Sequence, residues 1–199
     1  MLREIVSDAF RNQTIAEVAL EKANKRPEQE IIFHENEPAI KISSIVEEAG
    51  CLANSLRRLG MIAGDVISFQ LPSWREAVAI DLAASILGLV VNPIIPIYRE
   101  KELKFILNDA NTKLLFIPEK FRSTNYQEMI GSIRSSLPNL EHVIVVRGAG
   151  NSQQLSYEKL IETSESNFTL KRVGADGLKV LMYTSGTTGV PKAVMHSQN

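Results

Sequence analysis

Four hydroxyl side chains, two glycines and a lysine lie close together near residue 190 of this chain. They are Thr184, Ser185, Gly186, Thr187, Thr188, Gly189 and Lys192. The two glycines permit positive φ angles, so that successive backbone NH groups can turn toward one point and form a concave anion site. The hydroxyls add further donors, and the lysine adds a full positive charge. These residue types in this spacing predict a loop that binds phosphate groups.

The segments on either side of this loop have the composition of β-strands. Residues 178–183 form an apolar, strand-like run, and Ala193-Val194-Met195 returns to strand composition. The connection from Thr184 to Pro191 is too long for a tight hairpin turn. The loop also differs from the G-x-x-x-x-G-K-[ST] nucleotide loop, because its glycines are spaced differently and no Gly-Lys pair occurs. The sequence therefore predicts a strand–loop–strand unit.

This unit resembles the phosphate loop of the adenylate-forming enzymes, which include acyl-CoA synthetases, aryl-acid ligases, luciferases and peptide-synthetase adenylation domains. Their pattern, roughly (Y/F)(T/S)SG(T/S)TGxPKGV, is met from Tyr183 to Val194 except at Ala193, where the family usually has glycine. Gln198 also departs from the family, since many members have histidine there. Residues 195–197 are most similar to the acyl-CoA ligase branch. Weaker similarities at residues 64–74 and 88–93 extend the resemblance to about residues 31–199.

The resemblance implies an enzyme that joins a carboxylic acid to ATP, releases pyrophosphate and passes the acyl group from AMP to a thiol, most often that of coenzyme A. It implies that the seven loop residues named above bind the phosphates, with Mg²⁺ bridging the same oxygens, and it suggests a role in fatty acid metabolism. It assigns no catalytic residue and no metal ligand. The parts that bind adenosine and the acyl group would follow Asn199, so the isolated chain is expected to be inactive.

Two alternatives to an acyl-CoA ligase fragment stay open. One is a fragment of a peptide-synthetase or aryl-acid adenylation domain, and the other is a non-catalytic module that retains the fold as a partner or regulator. Nothing in the sequence specifies the carboxylic acid. His196 could approach the phosphates from the second strand, but strand alternation could equally turn it away, so it is left out of the site.

Composition points to a small-molecule ligand. The 22 basic and 23 acidic residues give a formal charge of −1, which offers no field suited to nucleic acid or acidic membranes. The single cysteine, Cys51, excludes an internal disulfide and favours a reducing compartment. Acidic residues interrupt residues 1–8, so no signal peptide is predicted, and the apolar run 77–91 is too short and too broken to span a membrane. The expected location is the cytoplasm.

Strands and helices alternate from about residue 31, which predicts an α/β fold with mostly parallel, layered sheets. The expected organisation is a helical lead-in at 1–30, an α/β subdomain at 31–177 and the strand–loop–strand unit at 178–199, with no C-terminal domain. Capping boxes predict helix starts at Thr14, Ser44 and Ser73. If further strands of the sheet lie beyond Asn199, the isolated chain would expose a sheet edge and self-associate.

Overall fold

The structure is a computed structural model that describes residues 12–34, 37–171, 173–184 and 191–199. It contains six α-helices in the described residues: α1 Ile15–Lys25, α2 Ile42–Arg58, α3 Arg75–Leu87, α4 Glu100–Asp109, α5 Tyr126–Ile133 and α6 Tyr157–Glu162. A 3₁₀ turn at Arg134–Ser136 extends α5. Within the described ranges, no helix is both long and apolar enough to cross a membrane.

Eleven strands are found in the same residues: β1 Glu30–His34, β2 Glu37–Lys41, β3 Val66–Phe69, β4 Val90–Pro93, β5 Thr112–Pro118, β6 Lys120–Phe121, β7 Thr124–Asn125, β8 His142–Val146, β9 Leu155–Ser156, β10 Val180–Thr184 and β11 Lys192–His196. Seven of them form one sheet in the order β11-β10-β4-β3-β5-β8-β9. All neighbours in this sheet are parallel except β10 and β11. The prediction of an α/β fold with a mostly parallel sheet is confirmed.

The sheet lies between two helical layers because its central strands are apolar on both faces. In β5, Leu114 and Phe116 pack with α1, α2, α3 and α6 on one face. Leu115 and Ile117 alternate with them and pack with α4 and α5 on the other face. Burial on both faces is typical of a parallel strand that helical connections cover. The apolar run 77–91, too short to span a membrane, is a largely buried helix that leads into a buried strand.

One of the three predicted capping boxes forms. Thr14 accepts a hydrogen bond from the backbone NH of Glu17, and the Glu17 side chain accepts one from the NH of Thr14. The box at Ser44 is wrong, because α2 begins earlier, at Ile42, whose NH donates to the carbonyl of Gln29 at 2.8 Å. A backbone acceptor from outside the helix thus replaces the predicted side-chain cap.

The box at Ser73 is wrong as well. Helix α3 begins at Arg75 after Trp74, which makes no side-chain cap. Glu76, the expected partner of Ser73, is buried and pairs with Arg147 instead. A carboxylate at this depth gains more from a guanidinium than from a neutral backbone NH, since charge-assisted pairs are the stronger ones.

Candidate phosphate-binding site

The described ends of the loop lie directly opposite each other. Strands β10 and β11 pair in antiparallel fashion, and Thr184 is the register partner of Lys192. Directly opposed residues in such a pair project to the same face of the sheet, about 5 Å apart at their Cβ atoms. Five predicted site residues lie outside the described residues: Ser185, Gly186, Thr187, Thr188 and Gly189. Their role stays a prediction.

The ribbon of β10 and β11 opens at the carboxyl edge of the parallel sheet. Strand β10 is parallel to β4, so Thr184 at its end lies on the side where β3, β4, β5 and β8 also end. In open α/β sheets, ligands bind in the crevice outside the carboxyl ends of the strands. Thr184, at which the loop begins, therefore lies at the edge of the sheet where a ligand is expected.

Both described loop ends are open to solvent. Thr184 and Lys192 are exposed. Among the salt bridges of the described residues, none involves Lys192. The ammonium group can thus meet an incoming anion without first leaving a carboxylate. His196 shares the face of Lys192 but lies about 13 Å farther along the strand, opposite Val180.

Tyr183 fixes the end of β10 to helix α4. Its hydroxyl donates to Asp109 Oδ2 at 2.6 Å, and its ring meets Phe105 edge to face with the centroids 6.5 Å apart. Burial, together with the Asp109 carboxylate, raises the pKa of Tyr183, so the hydroxyl keeps its proton and donates. The residue directly before the loop is thereby held on the helical layer.

Lys179 fixes the beginning of β10 to helix α3. Its ammonium lies 2.9 Å from Asp81 Oδ1 and also donates to the Asp81 carbonyl at 3.0 Å. The Lys179 side chain is only 7% exposed. Burial lowers the pKa of Lys179, and Asp81 opposes that shift. The ribbon therefore starts from an ion pair whose lysine is buried and whose carboxylate is partly exposed.

Gln198 fixes the segment that follows β11. Its Oε1 accepts hydrogen bonds from the NH of Ile15 at 2.7 Å and from the Ser85 hydroxyl at 3.1 Å. Its own NH donates to the carbonyl of Ala175 at 2.9 Å. Gln198 thus links α1, α3 and the segment before β10.

A second polar cluster lies near the same edge of the sheet. Arg147, which follows β8, makes two hydrogen bonds to Glu76, at 2.9 and 3.2 Å, and stacks 4.3 Å from the centroid of the Trp74 ring. Nearby, Tyr157 donates to Glu48 at 2.7 Å. No local pattern in the sequence indicates this network, because its partners lie far apart in the chain.

Comparisons with known proteins identify the family of the chain. A family model described as AMP-binding enzyme matches residues 20–199. The chain therefore belongs to the family of AMP-binding enzymes.

Its relatives include a medium-chain fatty-acid–CoA ligase of Escherichia coli (strain K12), which is 32% identical over 94% of this chain and 33% of the relative. The structure of acetoacetyl-CoA synthetase from Streptomyces lividans superposes with a TM-score of 0.84 and 26% identity, over 93% of this chain and 30% of that one. An anthranilate CoA ligase in complex with anthranoyl-AMP shows the same fold, with a TM-score of 0.87 at 23% identity, over 96% of this chain and 36% of that one. The chain thus spans about a third of the length of its relatives.

Proposed function

We propose that this chain is the phosphate-binding portion of an ATP-dependent, AMP-forming acid–CoA ligase. The parent enzyme activates a carboxylic acid as an acyl-adenylate and then transfers the acyl group to coenzyme A. The observation that carries the proposal is the ribbon of β10 and β11, which brings Thr184 and Lys192 together at the carboxyl edge of the sheet. The composition and the single cysteine favour the cytoplasm as its compartment.

The proposed first step needs cationic and NH donors on the leaving side. A carboxylate oxygen attacks the α-phosphorus of ATP, the bond from that phosphorus to the bridging oxygen breaks, and pyrophosphate leaves with the bonding electrons. Charge therefore grows on the β- and γ-phosphate oxygens. Lys192, the Thr184 hydroxyl and the loop residues would stabilise it, and each positioned donor is worth about 2.7–4 kcal/mol in a site that excludes water.

The described residues do not supply a Mg²⁺ site of their own. Mg²⁺ prefers oxygen ligands such as carboxylates, and it usually binds through few protein groups together with substrate phosphates. Thr184 and Lys192 offer a hydroxyl and an ammonium, and in the described part of the chain no group of three or more His, Cys, Asp or Glu side chains could hold a metal ion. We therefore assign no metal ligand here, and Mg²⁺ stays with the phosphates of ATP in this proposal.

Coenzyme A is the favoured acceptor because the names of the relatives are those of CoA ligases and CoA synthetases. An aryl acid is the alternative substrate, since relatives include a 2-hydroxy-7-methoxy-5-methyl-1-naphthoate–CoA ligase from Streptomyces carzinostaticus, 26% identical over 90% of this chain and 33% of the relative. ATP–pyrophosphate exchange by the full-length enzyme, measured with a panel of carboxylic acids, tests the proposal. Acid-dependent exchange supports it, and no exchange with any acid would favour a non-catalytic module.

For the isolated 199-residue chain, we expect millimolar ATP or pyrophosphate with Mg²⁺ to raise the melting temperature by only about 1 °C. The loop offers contacts to phosphates alone, and a ligand present near its dissociation constant adds only about 0.4 kcal/mol of stability. Differential scanning fluorimetry measures the shift, with magnesium sulfate as the ionic control. A micromolar dissociation constant by calorimetry would contradict this expectation.

We further propose that the isolated chain associates with a second copy through β11. This strand is the last of the sheet in the described residues, all five of its residues are exposed, and Met195 is 71% exposed. Antiparallel pairing of two β11 strands about Val194 would bring Lys192 opposite His196 of the second copy, without opposing two lysines. An exposed, apolar edge strand favours such pairing.

Met195→Lys is expected to abolish this association, because a charge on an edge strand opposes strand pairing. Sedimentation velocity over a hundredfold concentration range measures it. Ile62→Lys is the matched control, because Ile62 is 66% exposed but lies in the loop between α2 and β3. A wild-type chain that stays monomeric throughout would refute the proposed contact.

A further inference from the structure

The half of β10 that leads into the loop extends past its parallel neighbour. Strand β10 pairs with β4 at one register position, Val180 with Val91. From Leu181 to Thr184, its register partners are in β11 alone, and β11 is the outermost strand of the described sheet. The sheet therefore fixes the start of β10, and other contacts must fix the end at which the loop begins.

Tyr183 makes such a contact. It is 8% exposed, and its side chain leaves the face of the ribbon opposite to Thr184 and Lys192, because neighbouring residues of a strand alternate. The 2.6 Å hydrogen bond to Asp109 and the edge-to-face contact with Phe105 join it to α4. One side of the ribbon thus faces the phosphate site, and the other side rests on the helix.

The position of Asp109 in its helix is unfavourable unless a tertiary contact compensates for it. It is the last residue of α4, and the negative end of the helix dipole disfavours a carboxylate there. The Tyr183 hydroxyl offsets this, since hydrogen bonds to an ionised acceptor are stronger than those between neutral groups. The contact joins residues 74 positions apart in the chain.

We propose that Tyr183 is a positioning residue for adenylation, which holds Thr184, the residue at which the loop begins, in place through its own hydrogen bond to Asp109. This inference rests on the proposed function of the loop. Tyr183 itself faces away from the phosphates and acts through the backbone of Thr184. A loop whose donors are held in place stabilises departing pyrophosphate better than one that must be ordered in each turnover.

Tyr183→Phe in the full-length enzyme is the direct test, since it removes only the hydroxyl. We expect kcat/KM for acid-dependent ATP–pyrophosphate exchange to fall about five- to tenfold, with thiol transfer from a supplied acyl-adenylate unchanged. Asp109→Ala should give the same loss, and the double variant should be no worse than either single variant, because both changes remove one interaction. Asp109→Asn keeps an acceptor but loses its charge, so its activity should lie between those of the wild type and Asp109→Ala.

Tyr126→Phe is the matched control. Tyr126 is 1% exposed, and its hydroxyl donates to the Pro96 carbonyl at 2.9 Å, in the loop after β4. If the loss of any buried tyrosine hydroxyl slowed the enzyme, ATP–pyrophosphate exchange would fall equally in Tyr183→Phe and Tyr126→Phe. Hydrogen exchange on the 199-residue chain should show faster exchange of the β10 and β11 amides in Tyr183→Phe only.

Equal kinetics for Tyr183→Phe and Tyr126→Phe would overturn the positioning role, as would a double variant of Tyr183 and Asp109 that is clearly worse than either single variant. Lys192→Ala, measured in the same assay, distinguishes a wrong positioning role for Tyr183 from a wrong function for the loop. If Lys192→Ala slows exchange and Tyr183→Phe does not, only the positioning role is lost. If neither slows exchange, the assignment of the loop itself is wrong.

Discussion

Lys192→Ala in the full-length enzyme is expected to slow adenylation by about 10²–10³-fold, while transfer from a supplied acyl-adenylate to the thiol changes less than about twofold. The reason is that Lys192 would stabilise charge that leaves with pyrophosphate. Once pyrophosphate has gone, the second step has no use for that cation. Rapid-quench measurements of the two half-reactions give both rates separately.

His196→Ala is the matched control, since it removes another exposed side chain from the same face of β11, at the far end of the strand. We expect it to leave both half-reactions within about twofold of the wild-type rates. If Lys192→Ala slowed adenylation and thiol transfer equally, the assignment of Lys192 to the pyrophosphate side of the site would be wrong.

Asp81→Asn is expected to destabilise the fold by about 3 kcal/mol at pH 7, at the lower end of the range for breaking a buried ion pair. The Lys179 side chain is 7% exposed and Asp81 is 29% exposed, so the change leaves a buried ammonium without its counter-charge. The loss of unfolding free energy cannot exceed about 5 kcal/mol, because that is the cost of deprotonating a lysine at pH 7, and a neutral Lys179 needs no counter-charge.

Lys179→Met is the contrasting change. It leaves the partly exposed Asp81 carboxylate in contact with water and keeps the apolar stem in place, so we expect a loss of less than about 1 kcal/mol. The double variant should recover most of the stability lost by Asp81→Asn. Urea unfolding followed by circular dichroism gives the three free energies, and equal losses for the two single variants would contradict the argument.

The pH dependence follows from the lowered pKa of Lys179. A folded state that disfavours the ammonium binds fewer protons than the unfolded chain between the lowered pKa and the ordinary lysine value of about 10.4. Stability therefore rises with pH in that window. The stability deficit of Asp81→Asn should shrink between pH 7 and pH 9.5, and a deficit that does not change with pH would contradict a buried Lys179 ammonium.

The sequence predicted the features that depend on neighbouring residues. The capping box of Thr14 and Glu17 formed because both partners lie within one turn of helix. The two strands around the predicted phosphate loop were predicted correctly, because their apolar composition contrasts with the glycine-rich segment between them. The predictions failed at Ser44 and Ser73, where groups distant in sequence satisfied the helix start or took the expected partner.

The position of the site within the fold could not be predicted from local pattern. Nothing near residue 180 indicates that β10 joins the sheet beside β4, on the side away from β8 and β9. The contacts that fix the ribbon, Tyr183 with Asp109 and Lys179 with Asp81, join residues separated by 74 and 98 positions. The one available signal was chemical, because an aspartate at the end of a helix opposes the helix dipole.

The hydrogen bond from Ile15 to Gln198 spans 183 positions and has a consequence during synthesis. A ribosome adds about 5–20 residues per second, so about 10–40 s pass between the emergence of these two residues. Until then, the first turn of α1 lacks an acceptor that it has in the finished fold. Helix α1 is made before β11, yet its first turn reaches its native hydrogen bonding only when Gln198, just after β11, is in place.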